Sequence, residues 1–100
     1  MKTTVAEQDG KLVAILEGTL DTAAAEKTAR DLAPLNDCNG RDILIDCSQL
    51  TYISSSGLRI LLSVRKHASV AGSSVTLKGA NNDILDVLRT TGFNNLFTII

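Results

Sequence analysis

The sequence predicts one α/β domain over residues 1–100, a mixed, mostly parallel sheet of about five strands with three or four helices. Three observations predict it. β-Prone apolar runs alternate with stretches of helical apolar spacing, the pattern of parallel strands joined by helical crossovers. An Asp9-Gly10 pair separates the first two β-prone runs and reads as a hairpin turn, which adds an antiparallel strand at the start. The chain has 100 residues, 44% of them hydrophobic, which suits one core and one domain.

Thr3 to Glu7 is short, β-prone and partly alternating, and Lys11 to Gly18 (KLVAILEG) is the next strand. Its apolar residues fall on both faces, Val13 and Ile15 on one and Leu12, Ala14 and Leu16 on the other. A central strand covered on both sides is expected. Gly18-Thr19-Leu20-Asp21 breaks it. Asp21 or Thr22 caps a helix over about Thr22 to Ala33, with Ala25, Ala29 and Leu32 at i, i+4 and i+7. Pro34 disfavours helical conformation at Ala33 and ends or kinks the helix there.

Asn36 to Gly40 reads as a polar turn, and Arg41 to Cys47 as the third strand. A second apolar step, Leu50 to Ile53, leads into Ser54-Ser55-Ser56-Gly57. A helix follows from Gly57 to about Ala71. Its Leu58, Ile60, Leu61, Leu62 and Val64 cover more than one stripe, which is either a broad buried face or a buried face plus an exposed one that meets a partner. Ser73 to Lys78 is the fourth strand, Gly79 to Asp83 a loop with N-cap residues, Ile84 to Thr91 a short helix stopped by Gly92, and Leu96 to Ile100 the last strand.

Composition narrows the function classes. A net charge of −1 and 3% aromatic residues give no case for direct nucleic-acid binding. No apolar run approaches the roughly 18 residues of a membrane span, so no membrane insertion is expected. Met1-Lys2-Thr3-Thr4 has no apolar signal-peptide core, and the expected setting is the reducing cytoplasm. Cys38 and Cys47, with His67 far off, do not make a zinc set, so no metal and no cofactor are expected. Cys47 ends an apolar strand and is expected to be a buried thiol.

The chemistry concentrates in the serine cluster. One serine at a helix start is a good N-cap, and three exceed what a cap needs. A catalytic serine needs a base. The one histidine, His67, lies about three turns down the same helix, roughly 15 Å away at 1.5 Å per residue. Ile53 also stands where a nucleophile elbow has its first glycine, so a hydrolase is set aside. Nucleotide binding has only Gly57 to offer, without a phosphate-loop pattern. Phosphorylation by a partner fits better. A helix N-terminus tolerates a phosphate of about −1.5 to −2 charge, whereas a partner docked there does not.

Asp46-Cys47-Ser48-Gln49-Leu50-Thr51-Tyr52-Ile53-Ser54-Ser55-Ser56-Gly57-Leu58 resembles the signature of STAS domains, specifically the bacterial anti-sigma factor antagonists. Gly18-Thr19-Leu20-Asp21 is similar to that family's G-x-[LI]-D element, and Leu88-Arg89-Thr90-Thr91-Gly92-Phe93 to the end of its third helix. The resemblance spans nearly the whole chain and implies a STAS-like fold. It also implies a cytoplasmic protein that binds an anti-sigma factor with serine-kinase activity. Phosphorylation by that kinase, using ATP and Mg²⁺, ends the binding, and a phosphatase restores it.

Laid on the family's Asp-Ser-[Ser/Thr]-Gly, Ser55 holds the phosphoacceptor position, with Ser56 and Ser54 as alternatives. Ser54 departs from the family's Asp. The implied partner-binding residues are Asp21, Ser54, Ser55, Ser56, Gly57, Leu58, Arg59 and Leu62. Asp21 is also a plain helix cap. Arg59, Ser63 and Lys66 share helical spacing and face solvent, His67 is a surface residue, and Tyr52 is expected to pack under the serine turn. The rival reading is a STAS-type subunit of another assembly, such as a lipid-transport ABC complex.

Overall fold

Asp9 and Gly10 both take positive φ, 51° and 78°. This combination turns a two-residue hairpin in step with the twist of its strands. In the computed structural model, which describes residues 1–100, the turn joins β1 (Lys2–Gln8) to β2 (Lys11–Leu20), antiparallel from Lys2↔Glu17 to Gln8↔Lys11. The chain then alternates: α1 (Thr22–Asp31), β3 (Ile43–Ile53), α2 (Ser55–Val70), β4 (Val75–Lys78), α3 (Asn82–Thr91) and β5 (Thr98–Ile99). The sheet order is β1-β2-β3-β4-β5, with β2 to β5 parallel. The mixed five-stranded sheet matches the expected fold class.

Sequential order explains where the helices lie. Each crossover steps to the next strand in the same direction, and crossovers of one hand then put every helix on the same face. The single core cluster bears this out. It takes Leu12, Ala14 and Leu16 from β2, Ile43, Ile45 and Cys47 from β3, and Val75 and Leu77 from β4. Leu12–Ile43–Val75 and Ala14–Ile45–Leu77 are register rows, and Leu58, Leu61 and Val64 of α2 with Ile84 and Leu88 of α3 pack in the same cluster. The expectation that β2 is covered on both sides is therefore corrected. Val13, Ile15 and Leu44 lie on the opposite face, outside the core cluster, and no helix covers them. Val13 is shielded in the row Ala6–Val13–Leu44, while Ile15 and Leu44 stay half-buried.

Three local expectations also shift. α1 buries Thr28 and half-buries Ala24, while Ala29 is exposed. Both Ala24-Thr28-Leu32 and Ala25-Ala29-Leu32 end on Leu32 at helical spacing, and the sequence has no larger side chain to choose between them. The stretch after α1 is not a simple polar turn. Ala33–Asp37 forms a 3-10 turn with Pro34 at its start, and Leu35 and Cys38 are fully buried. β5 is only Thr98–Ile99, preceded by a 3-10 turn over Phe93–Asn95. No helix is long and apolar enough to cross a membrane.

Candidate functional site

β3 runs on past its expected end at Cys47, and the reason lies in its pairing with β2. Between Ile15↔Asp46 and Leu20↔Ile53, β2 advances five residues and β3 seven, so β3 carries two extra residues. Each irregularity is held by a side chain. At the first, the Asp46 carboxylate accepts from the Ser48 amide at 2.9 Å and from its hydroxyl at 2.6 Å. These bonds hold the Asp46 carboxyl below its ordinary value, with the Ser48 side chain the larger cause and its amide next. At the second, the Thr51 hydroxyl donates to the Gly18 carbonyl at 2.9 Å and sits 3.2 Å from the Thr19 hydroxyl. Bulges bend a strand and re-aim the residues beyond them. Polar residues at 46, 48, 49 and 51 thus belong to the strand and steer it into the serine turn.

The turn is pinned from three sides. The Ser54 amide donates to the Leu20 carbonyl at 2.8 Å, tying it to the end of β2. The Ser54 hydroxyl accepts from the Gly57 amide at 3.1 Å and caps α2. Gly57 lies so close to the strands that a Cβ would stand 2.7 Å from Leu20 Cγ and 2.9 Å from Ile53 Cγ1. α2 therefore begins at Ser55, two residues earlier than expected, because Ser54 supplies the cap and Gly57 is buried inside the first turn.

This geometry sorts the expected site residues. Ser55 is the first residue of α2 and is exposed; Ser56 is half-buried. Arg59, one turn on, is exposed, and Leu62 is half-buried against the core. Ser54, at 8% exposure, and Leu58, at 4%, turn inward. With Gly57 they shape the turn in the free domain, and the outward side chains of the expected partner-binding set are Ser55 and Arg59. Ser54 as an alternative acceptor meets the same obstacle, since its hydroxyl is buried and already bonded.

Asp21 is half-buried and caps α1, accepting from the Ala24 amide at 2.8 Å. The Leu20–Ser54 bond places that cap beside the serine turn. Asn81 caps α3 through the Ile84 amide at 2.9 Å and donates to the Leu50 carbonyl at 3.3 Å. Three capped helix starts thus gather at the C-terminal ends of β2, β3 and β4.

Tyr52 does not pack under the turn. It pairs with Thr19 in the strand register and stands 52% exposed, because the second bulge rotates it outward. It lines a hollow of about 250 Å³ with Ile84 and Val87 of α3. Neither the bulge nor the exposed tyrosine was visible in sequence pattern, although polar residues interrupting a β-prone run are the available signal. Cys47 is buried as expected, and burial, with the nearby Asp46 charge, pushes its thiol up to about 12.

Comparison with known proteins agrees with this architecture. The family model described as "Mlab, STAS domain" matches residues 3–99. The chain belongs to the STAS domain family. A Bordetella bronchiseptica protein named "Putative anti-sigma factor antagonist BtrV" is 33% identical over 99 residues, covering 99% of this chain and 85% of that protein. Among solved structures, an anti-sigma factor antagonist STAS-domain protein from Planctomyces limnophilus superposes with a TM-score of 0.88. It is 18% identical and covers 98% of this STAS domain and 87% of that chain. The Bacillus cell fate determinant SpoIIAA in its phosphorylated form superposes with a TM-score of 0.72 at 19% identity, over 99% of this chain and 91% of its own. At these identities the two structures speak to the STAS fold.

Proposed function

We propose that this STAS domain is an anti-sigma factor antagonist switched at Ser55. Unphosphorylated, it binds an anti-sigma factor with serine-kinase activity. That kinase, with its own ATP and Mg²⁺, transfers phosphate to the Ser55 hydroxyl and so ends the binding, and a phosphatase resets the domain. The chain supplies no catalytic residue and no cofactor; it is substrate and ligand. The work belongs to the cytoplasm, where sigma factors act. The name of the Bordetella relative and the phosphorylated form of SpoIIAA support this reading.

The observation that carries it is the division of labour between two adjacent serines. Ser54 is buried and spent on the cap, which leaves Ser55 exposed on the first residue of α2. The other two helix starts each hold an acid, Asp21 as the cap of α1 and Asp83 in the first turn of α3, whereas α2 has none. A phosphate on Ser55 meets the unneutralised positive end of a helix dipole, so the fold accepts it. A partner covering that surface must bury the new charge, and its affinity falls.

The test is binding to a candidate anti-sigma kinase from the same organism, by calorimetry without ATP. Wild type and Ser55→Ala are expected to bind alike, and Ser55→Glu to bind at least about tenfold more weakly, on the order of 1.4 kcal/mol. Equal binding by all three contradicts the reading.

One observation favours the rival, a STAS-type subunit of another assembly such as a lipid-transport ABC complex. Ser54 stands where the family signature has an acid. Under that reading a transporter ATPase co-purifies, and Ser55→Ala and Ser55→Glu both leave the complex intact.

A further inference from the structure

Helix α2 carries Arg59, Arg65, Lys66 and His67 and no acid, in a chain of net charge −1. None of the five ion pairs in the molecule involves it. Arg65 is occupied at the rear, where its Nε donates to the Leu96 carbonyl at 2.8 Å. Arg59, Lys66 and His67 are exposed, at positions that return to one side of the helix with Ser55, Ser63 and Val70. Val70 is 87% exposed, the most exposed large apolar side chain in the molecule.

Beside this row run two hollows. One, of about 260 Å³, lies between α1 and α2 against Ala29, Leu32 and Ile60, with Arg59 at its edge. The next, of about 410 Å³, continues along Lys66, His67 and Val70. Asn36 and Ser63 line both, so the two form one trough along α2. The trough is apolar at Ala29, Leu32 and Ile60 and again at Val70 and Ala71, polar at Asn36 and Ser63 between them, and cationic along its α2 rim.

We infer that this trough receives an acidic amphipathic helix of the partner, with aliphatic residues in the trough and carboxylates on Arg59 and Lys66. Charge complementarity argues for that occupant, since the lining holds Arg59 and Lys66 outside any ion pair and no carboxylate. The inference deepens the proposed function by stating how release occurs, and only that release step rests on Ser55 being the acceptor. Ser55 and Arg59 are i and i+4 on the exposed face, side chains within reach of one another. A phosphate on Ser55 takes the Arg59 guanidinium for itself and removes it from the partner's carboxylate.

The experiment uses the ¹⁵N-labelled protein and two synthetic helical peptides of 18 residues or so, each with a leucine stripe. One is flanked by glutamates and the other by lysines. The acidic peptide is expected to move the amide signals of Arg59, Ser63, His67 and Val70, and the basic one to leave them in place. The double substitution Arg59→Glu with Lys66→Glu should weaken the acidic peptide by about tenfold and admit the basic one. Ser55→Glu should weaken the acidic peptide several-fold, and by less when Arg59 is already Gln. Circular dichroism checks that each variant is folded. The inference is overturned by equal binding of both peptides, by signals that move on another surface, or by an oligonucleotide that moves the same signals as strongly as the acidic peptide. A Ser55→Glu variant that binds the acidic peptide like wild type overturns the release step. Phosphate incorporation at Ser55 is read separately, so failure of the trough and failure of the switch are distinguishable.

Discussion

α1 and α2 both begin directly after adjacent parallel strands, and each caps its first turn with one side chain that accepts from the amide three residues on. Asp21 accepts from Ala24 at 2.8 Å and Ser54 from Gly57 at 3.1 Å. Their surroundings then diverge. The α1 start has a charged cap, half-exposed, and an ordinary alanine at its third position. The α2 start has a neutral cap, 8% exposed, and a glycine wedged against Leu20 and Ile53. One start is electrostatically complete and sterically loose. The other is sterically tight and electrostatically open, with an exposed serine where a charge is missing. Rigid support beneath and an unfilled charge outside are what a modification switch needs, because added phosphate then alters the surface and spares the core.

The largest expected effect breaks this pairing at the third position. Gly57→Ala puts a methyl into Leu20 and Ile53 and should destabilise by about 1–3 kcal/mol, the range of overpacked cores. Ala24→Gly, its counterpart in α1, removes a half-buried methyl without any clash and should cost about 1 kcal/mol, mostly the propensity difference. Urea denaturation of the two variants measures the contrast. A Gly57→Ala protein as stable as wild type means that α2 is not seated as described.

The caps come next. Ser54→Ala and Asp21→Ala should each cost about 1 kcal/mol. Ser55→Ala should stay within about 0.5 kcal/mol of wild type, as surface substitutions do. Comparable losses at Ser54 and Ser55 in thermal denaturation would erase the division of labour between them.

A last contrast separates the strand's two flanks by pH. Asp46 titrates below its ordinary 3.8 because Ser48 bonds its carboxylate. The unfolded chain binds that proton more readily, so the stabilisation is present above about pH 4 and is lost as pH falls through the lowered value. Asp42 has the same direction, from bonds to the Ser74 amide first and its hydroxyl next. Cys47, one residue along, behaves oppositely. Its thiol rises from 9.0 to about 12, so its contribution is full below pH 9 and lost as pH climbs toward 12. In the folded protein at pH 8 it should resist iodoacetamide, whereas the urea-unfolded chain should label. Mass spectrometry reads the difference, and equal labelling rates would mean that the strand end is open.

Much of the scaffold was legible because local chemistry and global fold agree. Asp9-Gly10 turns the hairpin, Asp21 caps α1, and Gly92, at φ 78°, ends α3. The features that the sequence hid depend on neighbours. The second half of β3 reads as loop because Ser48, Gln49 and Thr51 are polar, yet pairing with β2 and side-chain bonds from Asp46 and Thr51 keep it a strand. Ser54 looks like any of three serines until burial and the Gly57 amide single it out. The open sheet face at Val13, Ile15 and Leu44 results from strand order, which composition does not encode. The proposal of Ser55 starts from resemblance, and its exposure beside a buried neighbour adds a physical reason for that choice.

The most direct test of the account is the site of phosphate transfer. The protein is incubated with ATP, Mg²⁺ and the proposed anti-sigma kinase, digested, and mapped by mass spectrometry while release of the complex is followed on the same sample. One phosphate is expected, on Ser55, appearing as the complex dissociates, with no release for Ser55→Ala. Phosphate on Ser54 or outside the turn, or phosphate on Ser55 with the complex intact, would contradict it.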